Sequence, residues 1–240
     1  MGTTGTTGTY RFPLDTRSLV ALVAVAWLAS FAHEFTHHAT GAWLCGAPGR
    51  MSLSLFALDA ACGERWPWTT AAGPALSCAL MWIGMALVLR AQRSGGDPWW
   101  GFALVIANKP FLRLFTALMG GGDEGVLWDL LSPDMGRWIA SATVLALSLP
   151  PMIACWRALA PRNRGRVFAA AFVLPMLPLL PVPFIDRALY GAWIDGQATL
   201  PALFGVPWSV WAVEAAVVAL LVLAVQAMPR RAAAQAAVAR

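Results

Sequence analysis

Charge is what this chain has least of. Asp, Glu, Lys and Arg together make up 12% of its 240 residues, against roughly 25% in a soluble domain. Apolar residues make up 59%, and the mean hydropathy is +0.63. Such a composition cannot clothe a soluble globule in polar surface, which excludes the soluble enzyme and binding-domain classes. Lysine is nearly missing, with Lys109 the single example. The net charge of +5 comes from arginines that lie mostly between apolar runs. That pattern suits membrane topology and excludes a phosphate-tracking groove, so no nucleic-acid partner is expected. Cysteine is sparse and never paired as CxxC, which excludes a cysteine zinc site or thiol redox motif. Cys78 and Cys155 fall inside apolar runs and read as core. Cys45 and Cys62 flank one loop and can join as a disulfide where that loop faces an oxidising space.

Long apolar runs are what the chain has in abundance. A membrane helix needs about 20 mostly apolar residues. Six stretches qualify, at 18–43, 70–91, 99–119, 137–158, 167–185 and 206–228. Tryptophans gather at their ends, as Trp66 with Trp68, Trp99 with Trp100, and Trp208 with Trp211. Amphipathic rings take that position at a membrane interface. The fifth stretch carries Pro175, Pro178, Pro181 and Pro183. Each proline removes a donor and crowds the preceding turn, so this segment either spans as a broken helix or enters and returns. Residues 51–58 begin with polar and apolar side chains in alternation, the period of a half-buried strand. The expected fold is therefore an all-α polytopic membrane protein of about six helices, with a short strand or hairpin after the first.

Four regions follow: a disordered Gly/Thr-rich start at 1–17, a membrane core at 18–130, further membrane helices at 131–228, and a basic tail at 229–240. No soluble segment is long enough for an accessory domain. With the N-terminus inside, eleven arginines fall on the inner side, while Arg50, Arg65, Arg137 and Arg187 fall outside. This bias favours both termini in the cytoplasm, with the end of the first helix then outside. The Ala-, Arg- and Trp-rich composition points to a bacterial plasma membrane.

Chemistry concentrates in the first helix. All three histidines, His33, His37 and His38, lie within six residues, and His33-Glu34-Phe35-Thr36-His37 reads HExxH. Residues four apart share a helix face, so both imidazoles can reach one zinc ion. Glu34 then stands beside the metal to take a proton from its bound water. Ionisable groups inside a membrane helix are costly and usually functional. His38, one position off that face, reads as an interfacial or supporting residue. A catalytic zinc needs a third protein ligand, and no histidine remains. Asp123 and Glu124 follow Gly120-Gly121-Gly122 at the end of the third apolar run. Because helices one and three run in the same direction, these carboxyls arrive at a depth similar to the histidines. Asp129 is the fallback. Lys109 and Glu214 are two further charges inside apolar runs. They are expected to pair with each other, or else to line a polar path.

HExxH on a first core helix, a strand-like segment after it, Gly73-Pro74 opening the next helix and an Asp after the third resemble the site-2 protease family over roughly residues 20–130. The resemblance implies His33, His37 and Asp123 as zinc ligands, Glu34 as the base, and cleavage of a peptide bond within or near the membrane. The chain departs from the family pattern in two places. Ser77 stands where the family often has Asn. Asp123 sits in a Gly-Asp-Glu setting, further beyond Asn108 and Pro110 than usual. Family members also hold the zinc toward the cytoplasmic side, opposite to the charge bias, so both orientations of the site stay open at the level of sequence.

The function expected from the sequence is thus an intramembrane zinc endopeptidase acting on a membrane protein or peptide. Two alternatives differ in class. One is a catalytically inactive metal-binding membrane protein that binds or regulates a partner. The other is a transporter using Lys109 and Glu214.

Overall fold

The computed structural model describes residues 10–162 and 164–227. Of the start expected to be disordered at 1–17, residues 1–9 lie outside the described residues, as does the basic tail with Arg230, Arg231 and Arg240; residues 10–17 are ordered instead, because Phe12 has apolar surface to bury in the core and Thr16 and Arg17 open the first helix. Among the described residues, six helical stretches are long and apolar enough to cross a membrane, and the protein is an all-α, multi-pass membrane protein.

Helix α1 (Thr16–Cys45) is the axis of the fold. Its 30 residues span roughly 45 Å at 1.5 Å per residue, more than a hydrocarbon core requires. Asp15 caps it, accepting from the Ser18 N–H at 3.1 Å and the Ser18 hydroxyl at 2.9 Å. Gly46, at φ 80°, ends it in the left-handed conformation. Apolar residues surround α1 on several sides, since it packs against α2, α3 and α9. A hairpin follows, β1 (Arg50–Met51) with β2 (Phe56–Ala57), antiparallel and in the register Met51↔Phe56. This is the expected strand-like segment. Cys45 and Cys62 are joined as a disulfide across the same loop.

Helix α2 (Trp66–Ser94) runs back with Pro74 inside it. It packs against α3 (Trp99–Ala107) through facing glycines. A Cβ on Gly84 would lie 2.7 Å from the Gly101 carbonyl oxygen, and one on Gly101 would lie 2.6 Å from the Gly84 oxygen. Small residues let membrane helices approach this closely. The third span is not continuous. It breaks at Asn108 and Lys109, and α4 (Pro110–Leu118) restarts at a proline. Lys109 sits at φ 54°, a conformation that costs a non-glycine residue on the order of 1–3 kcal/mol.

Helix α5 (Gly122–Leu131) is short, and α6 (Gly136–Ala158) closes against α2, α4 and α5. The fifth span is broken, as its prolines require. It consists of α7 (Arg164–Val173), a 3-10 turn at Leu177–Leu179, and α8 (Val182–Ile194). A second hairpin, β3 (Ala202–Leu203) with β4 (Val206–Pro207), precedes α9 (Trp208–Gln226). Only two residues pair per strand, too few for alternation to register in the sequence. Its turn has positive φ at both Phe204 and Gly205, the requirement of a tight primed hairpin.

Lys109 and Glu214 do not form the expected pair. Glu214, on α9, accepts from the indole N–H of Trp27 on α1 at 2.8 Å. Lys109 lies at the helix break, in a cleft that Glu34 of α1 also lines. The two residues belong to different packing layers: α9 covers α1, whereas the break faces the α1–α2 side.

Candidate metal centre

The helical repeat places His33 and His37 one above the other on α1, with ring centroids 4.6 Å apart. Both are buried. Their Nε2 atoms are 3.1 Å apart. Asp123, in the first turn of α5, brings Oδ2 to 2.9 Å from His33 Nε2 and 3.3 Å from His37 Nε2. Of the three carboxyls the sequence offers, only Asp123 joins the histidines. Glu124 turns instead to Arg113, 2.5 Å from Nη1, and Asp129 is exposed further along α5. Among the described residues, His33, His37 and Asp123 form the cluster able to hold a metal ion. Glu34 lines the same cleft of about 250 Å³, with Ser77, Asn108, Lys109 and Arg113.

The donor triangle fits zinc. Three donors about 2.0–2.1 Å from a tetrahedral ion lie roughly 3.3 Å apart, close to the 2.9, 3.1 and 3.3 Å found here. Two imidazoles and one carboxylate are an ordinary set for a catalytic zinc, and the cleft beside them is lined by Glu34. Burial opposes ionisation of Asp123, but the adjacent imidazoles outweigh that penalty and hold its carboxyl well below the usual carboxylate range.

Each histidine is oriented from behind. His37 Nδ1 donates to the Thr69 carbonyl at 2.6 Å. A carbonyl only accepts, so this bond keeps the proton on Nδ1 and turns the Nε2 lone pair to the site. Phe56 of the hairpin stacks on the His37 ring at 4.8 Å and 14°. His33 Nδ1 has Ser77 Oγ at 3.1 Å and Arg113 Nη2 at 2.7 Å. His38 lies off the cluster and donates to the Phe204 carbonyl at 2.7 Å, tying α1 to the second hairpin.

Gly73 is required by the imidazoles rather than by the helix. A Cβ there would lie 2.6 Å from His37 Cε1 and 2.7 Å from His33 Cε1. Gly73→Ala is therefore expected to push both rings off their positions and weaken zinc binding by about 10–100-fold, the range for disturbing a ligand's support. Competition against a chromogenic chelator measures this; unchanged affinity would mean that the rings do not sit against α2.

Asp186 carries no signal in the sequence, yet it organises the wall of the site. It is fully buried on α8. Its carboxyl accepts from Ser52 Oγ at 2.8 Å, Leu53 N at 3.1 Å, Ser54 N at 2.8 Å and Ser54 Oγ at 2.9 Å. All four donors belong to the turn between β1 and β2. Asp186 thus couples the broken fifth span to the hairpin that stacks on His37. Asp186→Ala removes the acceptor shared by these donors, which are buried at Ser52 and half-buried at Leu53 and Ser54, at about 1–3 kcal/mol for each that water does not reach. A lowered melting temperature is expected for Ala, with a smaller drop for Asn, which keeps one acceptor; equal melting of all three proteins would remove Asp186 from this role.

Arg113 is the other residue that sequence reasoning passed over. It lies inside the apolar run at 99–119, four residues after Lys109, and a charge buried in such a run is the signal that could have found it. Comparison with protein-family models, with curated proteins and with solved structures gives no match to the chain. The geometry of the cluster is what bears on function.

Proposed function

We propose that the chain is an intramembrane zinc endopeptidase of the site-2 protease type. The reading rests on one observation: Asp123 converges on His33 and His37 of an apolar, membrane-length helix, beside a cleft that Glu34 also lines. His33, His37 and Asp123 would hold the ion, which when bound supplies Lewis acidity toward a carbonyl oxygen and a water molecule. Glu34 takes the proton from the attacking water as its oxygen bonds to the carbonyl carbon. Glu34 then delivers that proton to the leaving nitrogen as the C–N bond breaks, acting first as base and then as acid.

A helical substrate shields its peptide bonds within its own hydrogen-bond ladder, so the segment cut must be extended at the site. The break at Asn108 and Lys109 lines the cleft with non-helical backbone, which supports an extended occupant. The substrate class is a membrane-embedded or membrane-proximal segment of a membrane protein.

The Cys45–Cys62 disulfide supports the orientation that the arginine bias favours, with the end of α1 on the non-cytoplasmic side. The composition supports a bacterial plasma membrane as the location. Purified protein in detergent is expected to contain about one zinc per chain and to cut an unfolded membrane-segment peptide, with cleavage stopped by a chelator and restored by zinc. Protein that takes up no zinc even when supplied with it would refute the proposal.

A further inference from the structure

Arg113 makes four contacts around the centre. Nη1 donates to Glu124 Oε1 at 2.5 Å, Nη2 to Ser77 Oγ at 2.8 Å, and Nε to the Asn108 carbonyl at 3.2 Å. Nη2 also meets His33 Nδ1 at 2.7 Å. A guanidinium has donors only, so His33 Nδ1 must accept from it. The proton of the neutral ring then sits on Nε2. That atom lies 2.9 Å from Asp123 Oδ2 and 3.1 Å from His37 Nε2, so the proton points to where a metal ion would bind. His37 is held the opposite way, because its Nδ1 partner is a carbonyl. The two histidines of one motif thus rest in opposite tautomers, set by opposite kinds of partner.

We propose that Arg113 is a positioning residue that opposes metal loading: it holds His33 in the form that cannot ligate through Nε2, and it leaves Nδ1 when a metal enters. This rests on the reading of His33, His37 and Asp123 as a metal centre. Ser77 supplies the other half of the device. Its hydroxyl, 3.1 Å from Nδ1, can accept as well as donate. With the ring proton on Nδ1, Ser77 accepts it and Nε2 presents its lone pair. One proton changes nitrogen and none is gained or lost. Arg113 keeps Glu124 as its partner throughout. It has room to move, since the Arg113–Glu124 pair forms part of the wall of both the metal cleft and a second, apolar cavity of about 190 Å³ between α2, α5 and α6. Repulsion between a guanidinium and a divalent cation acts in the same direction.

The test is the zinc affinity of the full-length protein in detergent, by chelator competition, for the native chain, Arg113→Gln, Arg113→Lys and Ser77→Ala. Zinc is expected to bind about 10-fold tighter in Arg113→Gln, and about 10–100-fold weaker without the Ser77 hydroxyl. Arg113→Lys keeps a donor-only cation opposite Glu124 and is expected to stay near the native affinity, and the native chain's own tautomer keeps the proposal testable should the Gln variant misfold. A residue that merely braced His33 would give the opposite sign, and unchanged or weaker binding in folded Arg113→Gln overturns the proposal. A second readout needs no metal. Nitrogen chemical shifts of labelled histidine in the metal-free protein should place the His33 proton on Nε2 in the native chain and on Nδ1 in Arg113→Gln, whose amide oxygen can accept. A native Nδ1 proton overturns the inference even if zinc binds normally, and the failure of this inference is thereby separated from failure of the metal centre itself.

Discussion

Glu34→Gln is expected to lower peptide cleavage by about 10²–10⁴-fold while leaving one zinc per chain in place. The magnitude is that of removing a positioned general acid–base group. The amide of Gln matches the carboxylate in size but cannot take a proton from water or pass one to a leaving amine. None of the three donor atoms belongs to Glu34, so the metal has no reason to leave. Zinc content and cleavage rate on the same preparation decide the matter. Zinc retained with cleavage unchanged would remove Glu34 from the chemistry. Zinc retained in both proteins, with no cleavage by either, would favour a metal-binding protein that acts by holding a partner. A cellular phenotype indifferent to Glu34→Gln would point the same way.

The second large effect is on the metal itself. His33→Ala, His37→Ala and Asp123→Ala should each lose zinc, by more than the roughly 10–100-fold that supporting partners cost. Each removes one of three donors that lie 2.9 to 3.3 Å from one another, and two protein ligands do not make a stable site. Asp129→Asn should keep zinc, because Asp129 is exposed away from the cluster. Glu124→Gln should also keep it, since that carboxyl is engaged with Arg113. Zinc lost with the histidines but retained in Asp123→Ala would move the third donor to Glu124. Zinc retained in both histidine variants would place the metal elsewhere and leave the HExxH motif without its proposed role.

The parts of this site that were legible beforehand share a short range. HExxH is read from a spacing of four, and helix geometry alone brings His33 and His37 together. The interruption of the fifth span follows from its own prolines. The disulfide was legible too, as two cysteines flanking one loop. Where readings stayed open or failed, residues distant in sequence were involved. Asp123, Glu124 and Asp129 are alike in composition and context, and only the turn at Gly120 to Gly122 and the helix it starts aim one of them at the histidines. The expected Lys109–Glu214 pair failed because charge alone does not say which faces of two helices meet.

The sequence by itself determined that this is a membrane protein of about six spans, that its only histidines lie on one membrane helix, and that two of them can face one ion. Those properties arise from hydropathy summed over some 20 residues and from a 3.6-residue period, both local quantities. Only the tertiary structure decided the third donor, the tautomer partners Thr69, Ser77 and Arg113, the requirement for Gly73, and the clamp of Asp186 on the hairpin. Each depends on which buried polar group finds a partner once helices pack, and inside a membrane that partner has to come from another segment of the chain, because lipid supplies none.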